Sequence, residues 1–213
     1  TLATGERQRP ATPAPTITIS PAEGSTKVRP DKKIVVKAQG GTLQEVTVTV
    51  GGKTVPGRFN ADRTLWRSTD LLKPASRYTV VAKASGAGGS APATSRFTTL
   101  KPKYGLAVAD VTPSIKGEVL GVGAPIIVTF NQPVADKAAV ERALHVEPEK
   151  PVPGAWRWVA DNKVIYRTAR FWPAHQKVRF FADLEGVKAG PQTYGVKNHQ
   201  ATLTIGAAWI SKV

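Results

Sequence analysis

Residues 156–172 combine aromatic rings with arginines. Aromatic rings offer stacking faces and guanidinium groups pair with anions, so this stretch could bind sugar rings or an anionic polymer. The residues proposed to make that contact are Trp156, Arg157, Trp158, Arg167, Arg170 and Trp172. A hydrophobic core is the alternative, because Trp156 and Trp158 lie two positions apart and would share one face of a strand. The sequence leaves both interpretations open.

Catalytic chemistry finds little support in the sequence. The candidate general bases are His145, His175 and His199, and none of them lies in a recognised catalytic motif. Glu147 and Glu149 lie in a polar run, which favours a solvated carboxylate pair. The chain has no cysteine, which excludes a thiol nucleophile, a disulfide and a Cys-ligated metal. We therefore predict no catalytic residue, no cofactor, no cofactor-binding residue and no metal ligand.

The chain of 213 residues is strongly basic, with 30 Lys and Arg against 15 Asp and Glu and a formal net charge of +15. Its basic side chains are mostly single and occur in both halves, whereas nucleic-acid modules usually concentrate them on one helix or stripe. This distribution predicts a generally cationic surface and no nucleic-acid partner. The alternative is a localised anion site that folding would assemble.

The hydrophobic pattern divides the chain into segments. Residues 1–15 are rich in Pro, Thr and Ala and predict an extended leader. Residues 16–100 show short period-two segments separated by turn residues, as in the run VTVTV at 46–50 followed by Gly51 and Gly52. Such spacing predicts a first β-sandwich with Trp66 in its core. Residues 101–106 contain Pro and Gly and are interpreted as a linker.

Residues 107–207 repeat the strand pattern and predict a second sandwich. Apolar residues alternate in 126–130, in 178–184 and in 201–205. Residues 136–144 are the one helical segment, because Asp136 can cap it and Val140 and Leu144 would share a face. The predicted fold is therefore all-β, with two tandem immunoglobulin-like β-sandwiches of which the second carries one short helix.

Several motifs of the second half occur together in a known family. They are VGAPIIVTFNQPV at 122–134, DKAAVERAL at 136–144, PGAWRW at 153–158, FWPA at 171–174 and LEGV at 184–187. In order and spacing, residues 107–207 closely resemble the membrane-proximal immunoglobulin-like domains of actinobacterial, mycobacterial-type L,D-transpeptidases. The first half resembles the preceding domain of the same proteins through SPA at 20–22, VPG at 55–57, TLW at 64–66, YTV at 78–80 and FTT at 97–99.

The resemblance implies a division of labour in the parent protein. In that family a membrane or lipoprotein anchor precedes these domains, and a catalytic domain with a nucleophilic Cys follows them. The enzyme forms 3-3 cross-links between diaminopimelate residues of peptidoglycan. Because this chain has no Cys, we expect it to lack the catalytic domain, with residues 208–213 as the start of the connection to it.

Two functions follow as expectations. The first is a non-catalytic spacer that positions the catalytic domain, its main partner, in the cell envelope outside the cytoplasm. The parent protein would be anchored to the plasma membrane, and membrane contact would occur only through an anchor outside this chain. The alternative is a cationic module that binds peptidoglycan or another anionic wall polymer through the residues of 156–172 named above.

Overall fold

The computed structural model describes residues 11–113 and 117–208. Residues 1–10 of the predicted leader and residues 209–213 of the predicted connection lie outside the described residues. The prediction of an all-β protein with immunoglobulin-like sandwiches and one short helix is confirmed. The described residues form two compact units. The first comprises residues 11–70 and 75–100, and the second comprises residues 71–74, 101–113 and 117–208.

The first unit consists of two four-stranded antiparallel sheets. One has the strand order β1-β2-β6-β5 and the other has the order β4-β3-β7-β8. The strands are β1 (Thr16–Ser20), β2 (Val35–Gln39), β3 (Thr42–Val50), β4 (Lys53–Thr54), β5 (Gly57–Phe59), β6 (Leu65–Ser68), β7 (Arg77–Gly86) and β8 (Gly89–Thr98).

Turn glycines and alternating apolar residues explain this unit. Gly51 and Gly52 join β3 to β4 with φ of 54° and 76°, and a type I′ turn requires positive φ at both positions. Trp66 is buried as predicted. Tyr78 of β7 and Phe97 of β8 are also buried, and their rings stack with centroids 5.2 Å apart. The first unit thus has an aromatic core of its own.

The second unit contains two four-stranded sheets and a small third one. The orders are β10-β12-β15-β14, β11-β19-β16-β13 and β17-β18-β9, with β11 parallel to β19 and β9 parallel to β18. The elements are β9 (Tyr104–Leu106), β10 (Val108–Thr112), β11 (Val119–Leu120), β12 (Ile126–Phe130), α1 (Lys137–Glu141), β13 (Leu144–Pro148), β14 (Gly154–Ala160), β15 (Lys163–Thr168), β16 (Gln176–Ala182), β17 (Lys188–Gly190), β18 (Thr193–Gly195) and β19 (His199–Ile205).

The helix is shorter than the predicted segment 136–144. Asp136 is the N-cap as expected, because its carboxylate accepts a hydrogen bond from the Ala139 N–H at 2.9 Å. Helix α1 ends at Glu141, and Leu144 already begins β13. Val140 and Leu144 are both buried, but on different elements. Pairing of β13 with β16 determines this ending, since a long-range ladder outweighs local helix propensity.

The segment interpreted as a linker contributes to the second unit. Residues 104–106 form β9, which pairs with β18, and Leu106 has no exposed surface. Strand β9 has only three residues, too few to show a period-two pattern in the sequence. The interpretation of 101–106 as a linker therefore does not hold for its second half.

Within residues 11–113 and 117–208, no helix has the length and hydropathy that a bilayer-spanning helix needs.

Candidate functional site

Residues 156–172 lie on the β10-β12-β15-β14 sheet and in the irregular segment after β15. In β14, Trp156 and Trp158 pack against the core of the second unit while Arg157 is exposed. In β15, Tyr166 is buried and Arg167 is exposed. The alternation of strands therefore sends the rings and the guanidinium groups to opposite faces.

The Trp156 and Trp158 rings make core contacts. The Trp156 ring meets Tyr166 edge-on, with centroids 5.1 Å apart, and lies 5.9 Å from the Phe180 ring. The Trp158 ring stacks on Phe130 at 5.8 Å. Burial raises the pKa of the Tyr166 phenol, which therefore stays protonated at neutral pH. These contacts favour the core interpretation of both tryptophans.

Trp172 does not present its ring to solvent. Its side chain is 2% exposed, and its Nε1–H donates a hydrogen bond to the Ala124 carbonyl at 2.7 Å. The expectation that Trp172 contacts a polymer is therefore wrong. The Ala124 carbonyl belongs to the loop before β12, so the indole links two segments of the second unit.

Replacing Trp172 with Phe is expected to destabilise the second unit by about 1–3 kcal/mol, because the Ala124 carbonyl loses its donor and a cavity opens. Hydrogen exchange of the β12 amides measures this loss. Phe171→Leu is the matched control, because Phe171 is exposed and its change is expected to stay within about 0.5 kcal/mol. Equal losses in the two variants would contradict the structural role of the indole.

The three arginines of the predicted contact surface reach solvent. Arg157, Arg167 and Arg170 are exposed, and none belongs to the ion pairs formed among the described residues. Arg167 and Arg170 line an open cavity of about 470 Å³. The lining residues are Gly123, Ala124, Pro125, Arg167, Thr168, Ala169, Arg170 and Phe171. This arrangement can offer guanidinium groups to a carboxylate or a phosphate.

Phe171 is the residue that sequence reasoning left out of the predicted contact set. It is 58% exposed and contributes an aromatic face to the cavity, next to the buried Trp172. Phe171 and Trp172 are adjacent and follow the end of a strand, so no repeating pattern shows which of the two rings is buried. The sequence offers one signal, which is that adjacent residues in an extended chain point in opposite directions.

Two acidic side chains of the second unit lie beside basic side chains. His145 Nε2 lies 3.6 Å from Asp183, and Glu147 pairs with Arg179 at 2.8 Å. Burial and the nearby Lys197 charge lower the pKa of His199, which favours the neutral form of its imidazole. No group of three or more His, Cys, Asp or Glu side chains in residues 11–113 and 117–208 is arranged to hold a metal ion.

Comparison with known families identifies the fold. A sequence model described as "Bacterial Ig domain" matches residues 25–188, which reach across both units. The chain belongs to the bacterial Ig domain family. This family membership agrees with the sandwich architecture of the two units.

Curated relatives of this bacterial Ig chain are L,D-transpeptidases. L,D-transpeptidase 5 of Mycobacterium tuberculosis is 35% identical over 210 residues, covering 94% of this chain and 45% of the relative. L,D-transpeptidase 2 of the same species is 35% identical over 193 residues, covering 90% of this chain and 47% of the relative. The chain therefore spans under half the length of these relatives. The resemblance to L,D-transpeptidases is confirmed.

Solved structures of L,D-transpeptidases are also similar to part of this chain. The structure of an L,D-transpeptidase from Mycobacterium tuberculosis H37Rv is 32% identical with a TM-score of 0.35, and the match covers 49% of this chain and 42% of that chain.

Proposed function

We propose that this bacterial Ig chain is the non-catalytic positioning region of an L,D-transpeptidase that forms 3-3 cross-links in peptidoglycan. The alignment with L,D-transpeptidase 5 supports this proposal most strongly, because it includes 94% of this chain and only 45% of the enzyme. The proposed place of work is the cell envelope, on the outer side of the plasma membrane. Because the sequence has no Cys, the proposal places the nucleophile in another part of the enzyme.

The packing of each unit suits a positioning role. Both units have buried cores, and no buried side-chain nitrogen or oxygen among the described residues lacks a hydrogen-bond partner. Fully satisfied polar groups and close packing resist local opening, so a sandwich of this kind keeps its form when a neighbouring domain works. Each unit would therefore support a neighbouring domain without changing its own form.

A chimera tests the positioning role. This chain replaces the matching region of L,D-transpeptidase 5, and a second variant of that enzyme lacks the region altogether. We expect both proteins to cross-link soluble stem peptides at equal rates, while only the chimera cross-links isolated sacculi efficiently. Equal activity of both proteins on sacculi would contradict positioning. Turnover of stem peptides by the 213-residue chain alone would contradict its non-catalytic role.

Polymer binding by the second unit is the other candidate function. The cavity that carries Arg167, Arg170 and Phe171 favours it, because two cations and one aromatic face are the groups that bind an acidic sugar. The test is sedimentation of the chain with purified sacculi at low and moderate salt. Arg167→Gln with Arg170→Gln is expected to reduce retention at low salt. The control pair, Arg142→Gln with Lys188→Gln, removes equal charge elsewhere in the unit and should leave retention unchanged.

A further inference from the structure

The first unit carries a row of cations that the sequence does not reveal. On the β1-β2-β6-β5 sheet, Arg58 of β5 lies directly opposite Arg67 of β6. Lys37 of β2 pairs with Leu65, two positions before Arg67 on the same strand. All three basic residues are exposed, while Trp66 between them is buried. Residues separated by up to 30 positions thus meet on the outer face of one sheet.

The strands of this sheet contain basic residues but no acidic ones. The four strands read TITIS, VVKAQ, GRF and LWRS, with no Asp or Glu. Lys37, Arg58 and Arg67 take part in none of the ion pairs formed among the described residues. Arg96 in the other sheet, by contrast, has Glu23 as a partner at 3.8 Å. Like charges directly opposite each other on neighbouring strands are destabilising, so the Arg58 and Arg67 pair has a cost that a bound anion would remove.

We propose that this face, formed by Lys37, Arg58 and Arg67, binds an anionic polysaccharide. Guanidinium groups bind carboxylate and phosphate through paired hydrogen bonds, and neighbouring cations along a sheet match anions repeated along a polymer. Arg67 pairs on its other side with Val35 of β2, and Val35 pairs with Ser20 of β1. Thr18 of β1 lies opposite Lys37. The exposed hydroxyls of Thr18 and Ser20 can hydrogen-bond sugar hydroxyl groups beside the cations.

The composition of the face argues against nucleic acid. Single strands are held largely by bases stacked on aromatic rings, and the outward positions of these four strands contain no aromatic residue. Phe59 lies beside Arg58 on β5, but the Arg63 guanidinium covers its ring at 3.9 Å from the centroid. Charge and hydroxyl groups are therefore what the face offers, and a polyanionic sugar chain uses both.

Binding to defined polymers tests the proposal. Biolayer interferometry with the immobilised 213-residue chain would use polygalacturonate for carboxylate, poly(glycerol phosphate) teichoic acid for phosphate, and dextran as a neutral polymer. The variant Lys37→Gln, Arg58→Gln, Arg67→Gln is expected to bind the charged polymers about tenfold more weakly. The control variant Lys53→Gln, Arg77→Gln, Lys83→Gln removes equal charge from the other sheet of the unit and is expected to bind as the unmodified chain does. The better of the two charged polymers identifies the anion.

Three results would overturn the proposal. They are equal losses in the two triple variants, no binding of either charged polymer at low salt, and binding of single-stranded DNA or phosphatidylglycerol vesicles as tight as that of the polysaccharide.

The single variant Arg58→Thr gives a further readout, since removing the like-charge pair is expected to raise the melting temperature while weakening binding. A lower melting temperature would indicate a structural role for Arg58. The binding result is independent of the chimera test, because it needs no catalytic domain.

Discussion

Phe180→Ala is expected to lower the free energy of unfolding of the second unit by about 3–5 kcal/mol, because truncation of a buried aromatic residue loses apolar contacts and leaves a cavity. Phe180 has no exposed surface and lies in β16, which pairs with both β13 and β19. Its ring lies 5.9 Å from Trp156, which belongs to the opposite sheet. The side chain thus contacts both layers of the sandwich.

Hydrogen exchange of the β16 and β19 amides measures this loss without interference from the first unit. Phe181→Ala is the matched control, because Phe181 is the next residue, is only half-buried and packs against Arg179 with the guanidinium 5.6 Å from the ring. Its truncation is expected to cost about 1 kcal/mol. A loss in Phe181→Ala as large as that in Phe180→Ala would show that the core is not where the structure places it.

Gly195→Ala is expected to destabilise the second unit by about 3 kcal/mol, because a Cβ at this position would lie 1.7 Å from the Leu184 carbonyl oxygen. The contact is with backbone, so no side-chain rotation can relieve it. Gly195 also donates its N–H to the Val187 carbonyl and accepts from the Gly186 N–H. Moving β18 away would therefore break these hydrogen bonds.

The matched control for this glycine is Gly121→Ala. Gly121 lies in the same unit, and a Cβ there would meet nothing within 4 Å. Thermal unfolding followed by circular dichroism is expected to show a lowered transition for Gly195→Ala and an unchanged one for Gly121→Ala. Similar transitions for the two variants would mean that the approach of Leu184 to Gly195 is looser than the structure shows.

Alternation and turn chemistry made much of the fold predictable. The period-two run at 46–50 and the glycines after it indicate a hairpin because both signals are local. The same logic assigns Trp156 and Trp158 to one face, and the structure places both against the core. Local patterns could not show that α1 ends at Glu141 or that residues 104–106 pair with β18, since both depend on distant strands.

The candidate sites were less predictable for the same reason. Arg167 and Arg170 were named from the sequence, but the cavity that they line also needs residues 123–125 from the loop that leads into β12. Arg58 and Arg67 become neighbours only through the register of β5 and β6. Basic residues that are spread evenly along the sequence therefore lie close together on the folded surface.

The two parallel pairings of the second unit have a mechanical consequence. Strand β9, the first strand of that unit, runs parallel to β18, and the last strand, β19, runs parallel to β11. Tension directed along these strands would load the hydrogen bonds of each pair in shear, so that the bonds within a pair bear the load together. Bonds loaded in this way fail collectively, whereas a hairpin pulled apart at its open end fails one bond at a time. We therefore expect the three residue pairs of β9 with β18, and the two of β11 with β19, to give way together when the strands are pulled along their length.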